Sequence, residues 1–353
     1  MSMERTLERA SYLSSDVFAE EKERIFCRQW VCVGREEEVP RPGDYLLLDV
    51  AEECILLVRT LEGSLAAHYN VCRHRGSQLV LGVDPKPRRE KELVVSGRFA
   101  AGIKCPYHAW TYNLDGSLRT APFLEEGDGF RKDQLSLHPV GVETWGGFVF
   151  VNLGGSAARR LEGSRDGPET LATQLGAAPE RLKRYPLAEL RIGRRIAYEV
   201  AANWKVIVEN YNECYHCGPV HPELCRVVPA FRQQGGMHLD WDRGVPHREG
   251  AWTFTMSGTT NRRPFAGLNE DELVRHKGEL IYPNFMCSLA ADHVAAFTLW
   301  PHAAGQTTVV CDFLFHPDEM SRPDFDPMDA VGFWDITNRQ DWVICESVQR
   351  GMS

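Results

Sequence analysis

No stretch of the chain strings together the roughly 18 apolar residues that a membrane-spanning helix needs. The segment from Met1 to Ala10 carries Glu4, Arg5, Glu8 and Arg9 and lacks the apolar core of a secretory signal, so a cytoplasmic location is expected. Positive charge is outweighed: 40 Lys and Arg stand against 49 Asp and Glu, a formal net charge of −9. Nucleic acids and anionic membranes call for a basic face, so neither is an expected partner. No Gly-rich dinucleotide fingerprint sits in a strand–turn–helix setting, which argues against a built-in NAD(P)H module. Internal repeats and low-complexity tracts are missing as well. What remains is an ordinary globular composition, 43% hydrophobic and 25% charged, over 353 residues, enough for two domains.

Cysteine, by contrast, is plentiful: 11 residues, an odd number, spread through the chain. Without a secretion signal these thiols are expected to be reduced. Most then serve as small buried apolar residues, and a few are candidate metal ligands.

The chain reads as four stretches. Residues 12–32 have helical spacing, with Ser14 or Ser15 as N-cap and Phe18, Ile25 and Phe26 on one side, before Gln29 to Gly34 turns into a strand. Residues 40–153 hold many short strand patterns, such as Tyr45 to Leu48, Ile55 to Val58 and Phe148 to Val151, punctuated by Gly and Pro. Residues 154–186 read as a linker with a short helix. Beyond about 190, strands (Arg191 to Val200, Phe297 to Trp300, Thr308 to Phe315) mix with helices, predicted over Asn203 to Cys217 and Asp329 to Arg350.

Two constellations stand out. In the first, Cys72-Arg73-His74 and Cys105-Pro106-Tyr107-His108 each offer one thiolate and one imidazole from a tight loop. Such a Cys₂His₂ set can hold zinc, or a [2Fe–2S] cluster with two Cys on one iron and two His on the other. A zinc finger normally takes both Cys from one element and both His from the other. Here each loop mixes the types and lies in a strand-rich module, which favours the cluster. Gly76 and Pro106 suit tight turns beside the ligands.

At Cys72-Arg73-His74-Arg75-Gly76 and Cys105-Pro106-Tyr107-His108-Ala109-Trp110 the sequence resembles the Rieske non-haem iron oxygenases, the alpha subunits of the aromatic-ring-hydroxylating family. The resemblance implies that Cys72 and Cys105 hold the inner iron and that His74 and His108 hold the outer one, nearer the surface. One departure is the spacer, 75–104, longer than is usual in the family. Its charged run Asp84 to Glu92 reads as a solvated surface loop, with docking of a reductase as the sharper alternative.

The second constellation is Glu209-Asn210-Tyr211-Asn212-Glu213-Cys214-Tyr215-His216-Cys217-Gly218-Pro219-Val220-His221. On a continuous helix Glu209, Glu213 and His216 would share a face. Gly218-Pro219 is expected to end that helix and let the chain fold back, aiming His216 and His221 at one ion. Two His and one carboxylate make the facial triad of non-haem Fe(II) oxygenases. By resemblance the carboxylate comes from a late helix, where Asp341 is the best match and Asp335 the runner-up. Also by resemblance, Glu213 bridges to a cluster histidine of a neighbouring subunit and carries the electron path, and Asn210 hydrogen-bonds near the iron. Cys214 and Cys217 form a Cys-x-x-Cys, read as packing residues within the iron motif. Glu209 is read as either a second layer around the iron or a solvated helix residue.

The implied fold is α+β: an all-β Rieske [2Fe–2S] domain at 41–155, a catalytic helix-grip domain with a curved antiparallel sheet at 156–353, and an N-terminal helical segment at 1–40 packed on the catalytic domain. The implied assembly is a head-to-tail homotrimer. Electrons would come from NAD(P)H through a separate flavin and ferredoxin-type reductase, and O₂ and a small molecule are the substrates. Relatives continue past the equivalent of Ser353 with a further segment on the catalytic domain.

The runs Asn203-Trp204-Lys205, Glu209 to Cys217 and Val220-His221-Pro222-Glu223-Leu224 are most similar to the branch acting on quaternary ammonium compounds, the choline, glycine betaine and carnitine oxygenases. Hydroxylation at an N-methyl or adjacent carbon is the implied reaction, leading to demethylation or C–N cleavage. Trp252, Phe254, Tyr282, Phe285 and Trp300 are candidate walls of an aromatic cage for the cation. Ring hydroxylation of an aromatic acid is the rival activity, and a cluster-only electron carrier is the rival class.

Overall fold

The computed structural model describes residues 6–81, 95–125, 127, 130–155 and 169–353. The charged run at 84–92 lies outside the described residues, as does 156–168 of the expected linker. The chain forms two compact units: Glu21–Gln174, and Met1–Glu20 together with Leu175–Ser353. No helix among the described residues is long and apolar enough to cross a membrane.

The single helix expected over 12–32 is broken. Helix α1 spans Ala10–Leu13, α2 spans Ser15–Glu21, and a π-helical turn covers Lys22–Phe26. Ser14 interrupts them because it takes an extended backbone, and its Oγ accepts from the amides of Asp16 and Val17 at 3.2 and 3.4 Å, capping α2.

The regular structure of the Glu21–Gln174 unit is mostly strand. It holds β1 (Val31–Arg35), β2 (Asp44–Val50), β3 (Glu53–Arg59), β4 (Leu65–Tyr69), β5 (Val95–Arg98), β6 (Ile103–Lys104), β7 (Thr111–Tyr112), β8 (Leu118–Thr120), β9 (Pro139–Trp145) and β10 (Phe148–Asn152). Seven of them form one sheet in the order β1-β10-β9-β4-β3-β2-β5, and β6-β7-β8 form a second. Leu47, Leu56 and Val58 from the larger sheet meet Ile103, Tyr112 and Leu118 from the smaller one in a core that also buries Cys72 and Cys105.

The other unit is α+β. Beyond α3 (Leu171–Leu175), which closes the first unit, come α4 (Ala178–Arg181), β11 (Arg191–Val200), α5 (Trp204–Tyr211), α6 (Cys217–Val220), α7 (Pro222–Val227), β12 (Val245–Pro246), β13 (Arg275–Ile281), β14 (Phe285–Leu289), β15 (His293–Ala303), β16 (Gln306–Phe315), α8 (Pro317–Met320) and α9 (Met328–Met352). The strands make a curled antiparallel sheet in the order β11-β16-β15-β14-β13-β12. The long helix α9 lies against β11, α5 and α7, which brings its side chains to the segment after α5.

That segment departs from the expected helix over Asn203 to Cys217. Asn203 does cap α5, its Oδ1 accepting from the Lys205 amide at 3.0 Å. The helix then stops at Tyr211, because the Glu213 carboxylate takes the amides of Tyr215 and His216 and competes with helical pairing. Glu209, Glu213 and His216 therefore do not share a helical face. Nor does Gly218-Pro219 end a helix: Pro219 stands in the first turn of α6, where its missing N–H has no partner to lose.

Candidate active site

The two cysteine–histidine loops share one backbone pattern. The Gly76 amide donates to the Cys72 carbonyl at 3.0 Å and the Cys72 amide to the Ser77 carbonyl at 2.8 Å. In the second loop the Ala109 amide donates to the Cys105 carbonyl at 3.1 Å and the Cys105 amide to the Trp110 carbonyl at 2.8 Å. Gly76 and Ala109, each four residues after its cysteine, both have left-handed backbones, at φ 71° and 59°. The loops thus present Cys72 and Cys105 inward, both buried, and His74 and His108 outward, both exposed. The two imidazoles lie 4.6 Å apart between ring centres, and His74 stacks on Trp110 at 4.8 Å. Asn70, buried beneath the first loop, accepts from the amides of Leu79 and Val80 and fixes its exit. The Tyr112 hydroxyl lies 3.2 Å from Cys72 Sγ and accepts from the Arg73 amide.

Elsewhere, His216, His221 and Asp341 bring one ligand atom each within 4.8 Å of one another, and among the described residues this is the group that does so. The four loop residues do not form such a close group, and two soft sulfurs inside with two imidazoles outside suit a two-iron cluster.

In the His216 group, Asp341 Oδ1 is 2.9 Å from His221 Nε2 and 3.3 Å from His216 Nε2. Two donors about 2.1 Å from one ion and about 90° apart would be roughly 3 Å from each other, so the spacing fits a facial triad. The outer nitrogens are held too: His216 Nδ1 lies 2.7 Å from Glu213 Oε1, and His221 Nδ1 lies 2.8 Å from Gln340 Oε1. Gln340 in turn donates to Glu223 Oε2 at 3.0 Å. Asn210 Nδ2 lies 3.4 Å from His216 Nε2. Burial disfavours the charged form of His216, but hydrogen bonds with Asp341 and Glu213 overcome it and push its pKa up to about 9. Burial likewise opposes ionisation of Asp341, and its bonds to both imidazoles outweigh this and hold its pKa below the ordinary carboxylate value. Two imidazole nitrogens and one carboxylate oxygen gathered around one point are a donor set that fits Fe(II).

Asp335, the runner-up, is elsewhere: it accepts from the Tyr198 hydroxyl at 2.8 Å and pairs with Arg339 at 2.9 Å. Glu209 accepts from Tyr12 at 2.7 Å, which ties the N-terminal helices to α5.

The triad opens into a cavity of about 440 Å³. Its aromatic wall is Tyr211, Phe231, Trp241, His276, Phe297, Trp334 and Trp342, and none of the five expected cage residues lines it. Strand alternation is the reason for two of them. Leu280, Met286 and Phe297 pair across β13, β14 and β15 and face the cavity, which turns their neighbours Phe285 and Thr298, and with them Trp300, to the other face. Phe254 is fully buried behind the wall against His276 and Trp334, and Tyr282 is part-exposed beside Trp204.

Residues 187–353 match the ring hydroxylating alpha subunit (catalytic domain) family, and residues 29–142 match the Rieske [2Fe-2S] domain. The carnitine monooxygenase oxygenase subunit of Acinetobacter baumannii is 31% identical over 352 residues, covering 98% of this chain and 85% of that protein. The chain belongs to the Rieske oxygenase alpha subunits. Within this family, the glycine betaine monooxygenase oxygenase subunit of Pseudomonas aeruginosa is 29% identical over 372 residues, 97% of this chain and 81% of that protein. The crystal structure of the quaternary ammonium Rieske monooxygenase CntA with gamma-butyrobetaine superposes with a TM-score of 0.69 at 29% identity, covering 99% of this chain and 85% of that one. Naphthalene 1,2-dioxygenase from Rhodococcus sp., at 21% identity and TM-score 0.70 over 98% of this chain and 82% of that one, shares the fold. As a Rieske oxygenase component the chain is an oxidoreductase that depends on a [2Fe–2S] cluster and a mononuclear iron, and it pairs with a reductase.

Sequence reasoning missed Gln340 and Glu223. Both had a positional signal, since Gln340 precedes Asp341 and Glu223 closes the His221-Pro222-Glu223 run. The pocket residues Trp241 and Arg181 had none, because a loop and a short helix far from the triad in sequence bring them there.

Proposed function

We propose that this oxygenase component oxidises a small quaternary ammonium compound, hydroxylating an N-methyl or adjacent carbon so that demethylation or C–N cleavage follows. The observation that carries this reading is the meeting of His216, His221 and Asp341 at the edge of an aromatic-walled cavity. His216, His221 and Asp341 would hold the mononuclear iron, and Cys72, His74, Cys105 and His108 the cluster. When bound, the cluster supplies electrons one at a time and the iron uses them with O₂ to oxidise a C–H bond.

The chain's own residues do the rest. Asp341 faces both imidazoles with one oxygen, while Glu213 and Gln340 fix the ring orientation of His216 and His221 from behind. The indoles of Trp241, Trp334 and Trp342 and the ring of Phe297 offer π-faces to a cation and exclude water from the reacting carbon. Glu213, half exposed, is the bridge to a cluster histidine of the next subunit in a head-to-tail homotrimer. A separate flavin and ferredoxin-type reductase using NAD(P)H delivers the electrons.

The test is turnover by the reconstituted protein with a surrogate reductase, supplied in turn with betaines, carnitine, choline and aromatic acids, following O₂ uptake and formaldehyde. Oxygen uptake coupled to product with a quaternary amine supports the reading. Coupled uptake with an aromatic acid alone replaces it with ring hydroxylation.

A further inference from the structure

One wall of the cavity carries a cation that the proposed chemistry does not use. Arg181, the last residue of α4, reaches the pocket and is clamped by Glu279 on β13, a side chain only 6% exposed. The clamp is a two-pronged fork, with Nε donating to Oε1 and Nη2 to Oε2, both at 2.6 Å. The Arg181 carbonyl is also pinned, accepting from Lys277 Nζ at 3.0 Å. The guanidinium is therefore fixed in place before any ligand arrives.

Its third nitrogen is not satisfied in the same way. The carboxylate facing Nη1 is that of Asp242, at 3.6 Å, beyond hydrogen-bond length, and the Asp242 side chain is 84% exposed. Nη1, together with the second N–H of Nη2, thus offers an end-on pair of donors that matches a carboxylate, with a weakly held competitor in front of it. On the face of β13 opposite the Glu279 side chain, a Cβ on Gly278 would meet the Tyr211 hydroxyl at 3.2 Å and the Trp241 ring at 3.4 Å. Trp241 is the chain neighbour of Asp242, which faces Arg181, and all three residues line the cavity, while His216, His221 and Asp341 come from the segment after α5 and from α9.

We propose that Arg181, held by Glu279, receives a carboxylate carried by the substrate, so that the enzyme selects zwitterionic N-methylated amino acids over quaternary amines that end in a hydroxyl. The inference rests on reading this cavity as the substrate site of the proposed oxygenase. The ligand carboxylate takes the Nη1 face in place of Asp242, leaving the ammonium end for the aromatic wall.

The experiment is calorimetric titration of the iron-loaded protein without O₂. The probes are γ-butyrobetaine, its methyl ester, and its carbon isostere, in which a tert-butyl group replaces trimethylammonium. In Arg181→Gln, binding of γ-butyrobetaine is expected to weaken about 10- to 100-fold, the loss typical of a charge-assisted hydrogen bond, while the ester changes by less than about 3-fold. Asp242→Asn, at an exposed position that does not endanger folding, is expected to tighten γ-butyrobetaine by about 2- to 5-fold and leave the ester unchanged. Equal losses for acid and ester in Arg181→Gln, or no gain for the acid in Asp242→Asn, overturn the assignment. If the isostere binds as tightly as γ-butyrobetaine and loses as much in Arg181→Gln, the carboxylate receptor stands and the quaternary ammonium reading falls. If wild-type protein binds neither acid, the receptor is wrong.

Discussion

Gln340 and His221 are joined at 2.8 Å, amide oxygen to Nδ1, and Gln340 is the residue before Asp341 on α9. One helix therefore supplies both the carboxylate of the triad and the group that orients one of its imidazoles. Glu223, two residues after His221, accepts from the Gln340 amide on the opposite side, so ring, amide and carboxylate form a closed chain of contacts.

Replacing Gln340 by Leu should leave the ligands in place and free the His221 ring. Losing such an outer partner typically lowers metal affinity about 10- to 100-fold. Competition for Fe(II) against a chelator, read beside an unchanged melting curve, checks it. Unchanged affinity would show that α9 contributes to the site through Asp341 alone.

Asp341 and Asp335 lie on the same helix and separate cleanly. Asp341→Asn should strip the mononuclear iron while leaving the cluster's iron and sulfide. Asp335→Asn should keep all the iron and lose about 1 kcal/mol of stability with the Tyr198 and Arg339 contacts. Iron and labile sulfide per chain, measured on both variants, decide the matter.

The loop symmetry gives opposite expectations at equivalent positions. Gly76 is left-handed with open space where a Cβ would stand, so Gly76→Ala should destabilise the protein by about 1 kcal/mol through backbone strain alone. Ala109 bears that strain already, so Ala109→Gly should raise the melting temperature or leave it level. Thermal melts of the cluster-loaded protein, followed at the cluster's visible absorbance, test both.

Acid should weaken the catalytic unit before it protonates ordinary carboxylates. Burial pushes the pKa of His247 down to about 4 and that of His276 down to about 3. Both return to about 6.5 on unfolding. Between these values the unfolded chain binds protons that the native chain does not, so stability falls as pH drops from about 6.5 to about 4. Denaturant titrations at pH 7 and pH 5 should show the loss. His247→Leu should flatten the slope, since both ring nitrogens of His247 are buried without hydrogen-bond partners.

Much of this was legible from residue patterns. The strands at Arg191–Val200 and Phe148–Asn152 stand where alternation and flanking turns put them, and α9 follows its apolar spacing. What escaped was decided by side chains acting on backbone. Helical periodicity runs through Glu213, yet its carboxylate captures the amides of Tyr215 and His216 and breaks the helix. Ser14 does the same to the N-terminal helix. The cavity wall was the least legible part. Aromatic type alone does not say which face of a strand is inward, and Trp300 and Phe297 differ in that respect by three residues, an odd step along β15.

One polypeptide builds two iron centres, the [2Fe–2S] cluster and the mononuclear iron. Iron and acid-labile sulfide assays with Mössbauer spectroscopy on the reconstituted wild-type protein test it most directly. About three irons and two sulfides per chain are expected, with one iron in an N/O environment distinct from the cluster. About two irons and two sulfides, with no third iron after loading with Fe(II), would leave only an electron carrier and contradict it.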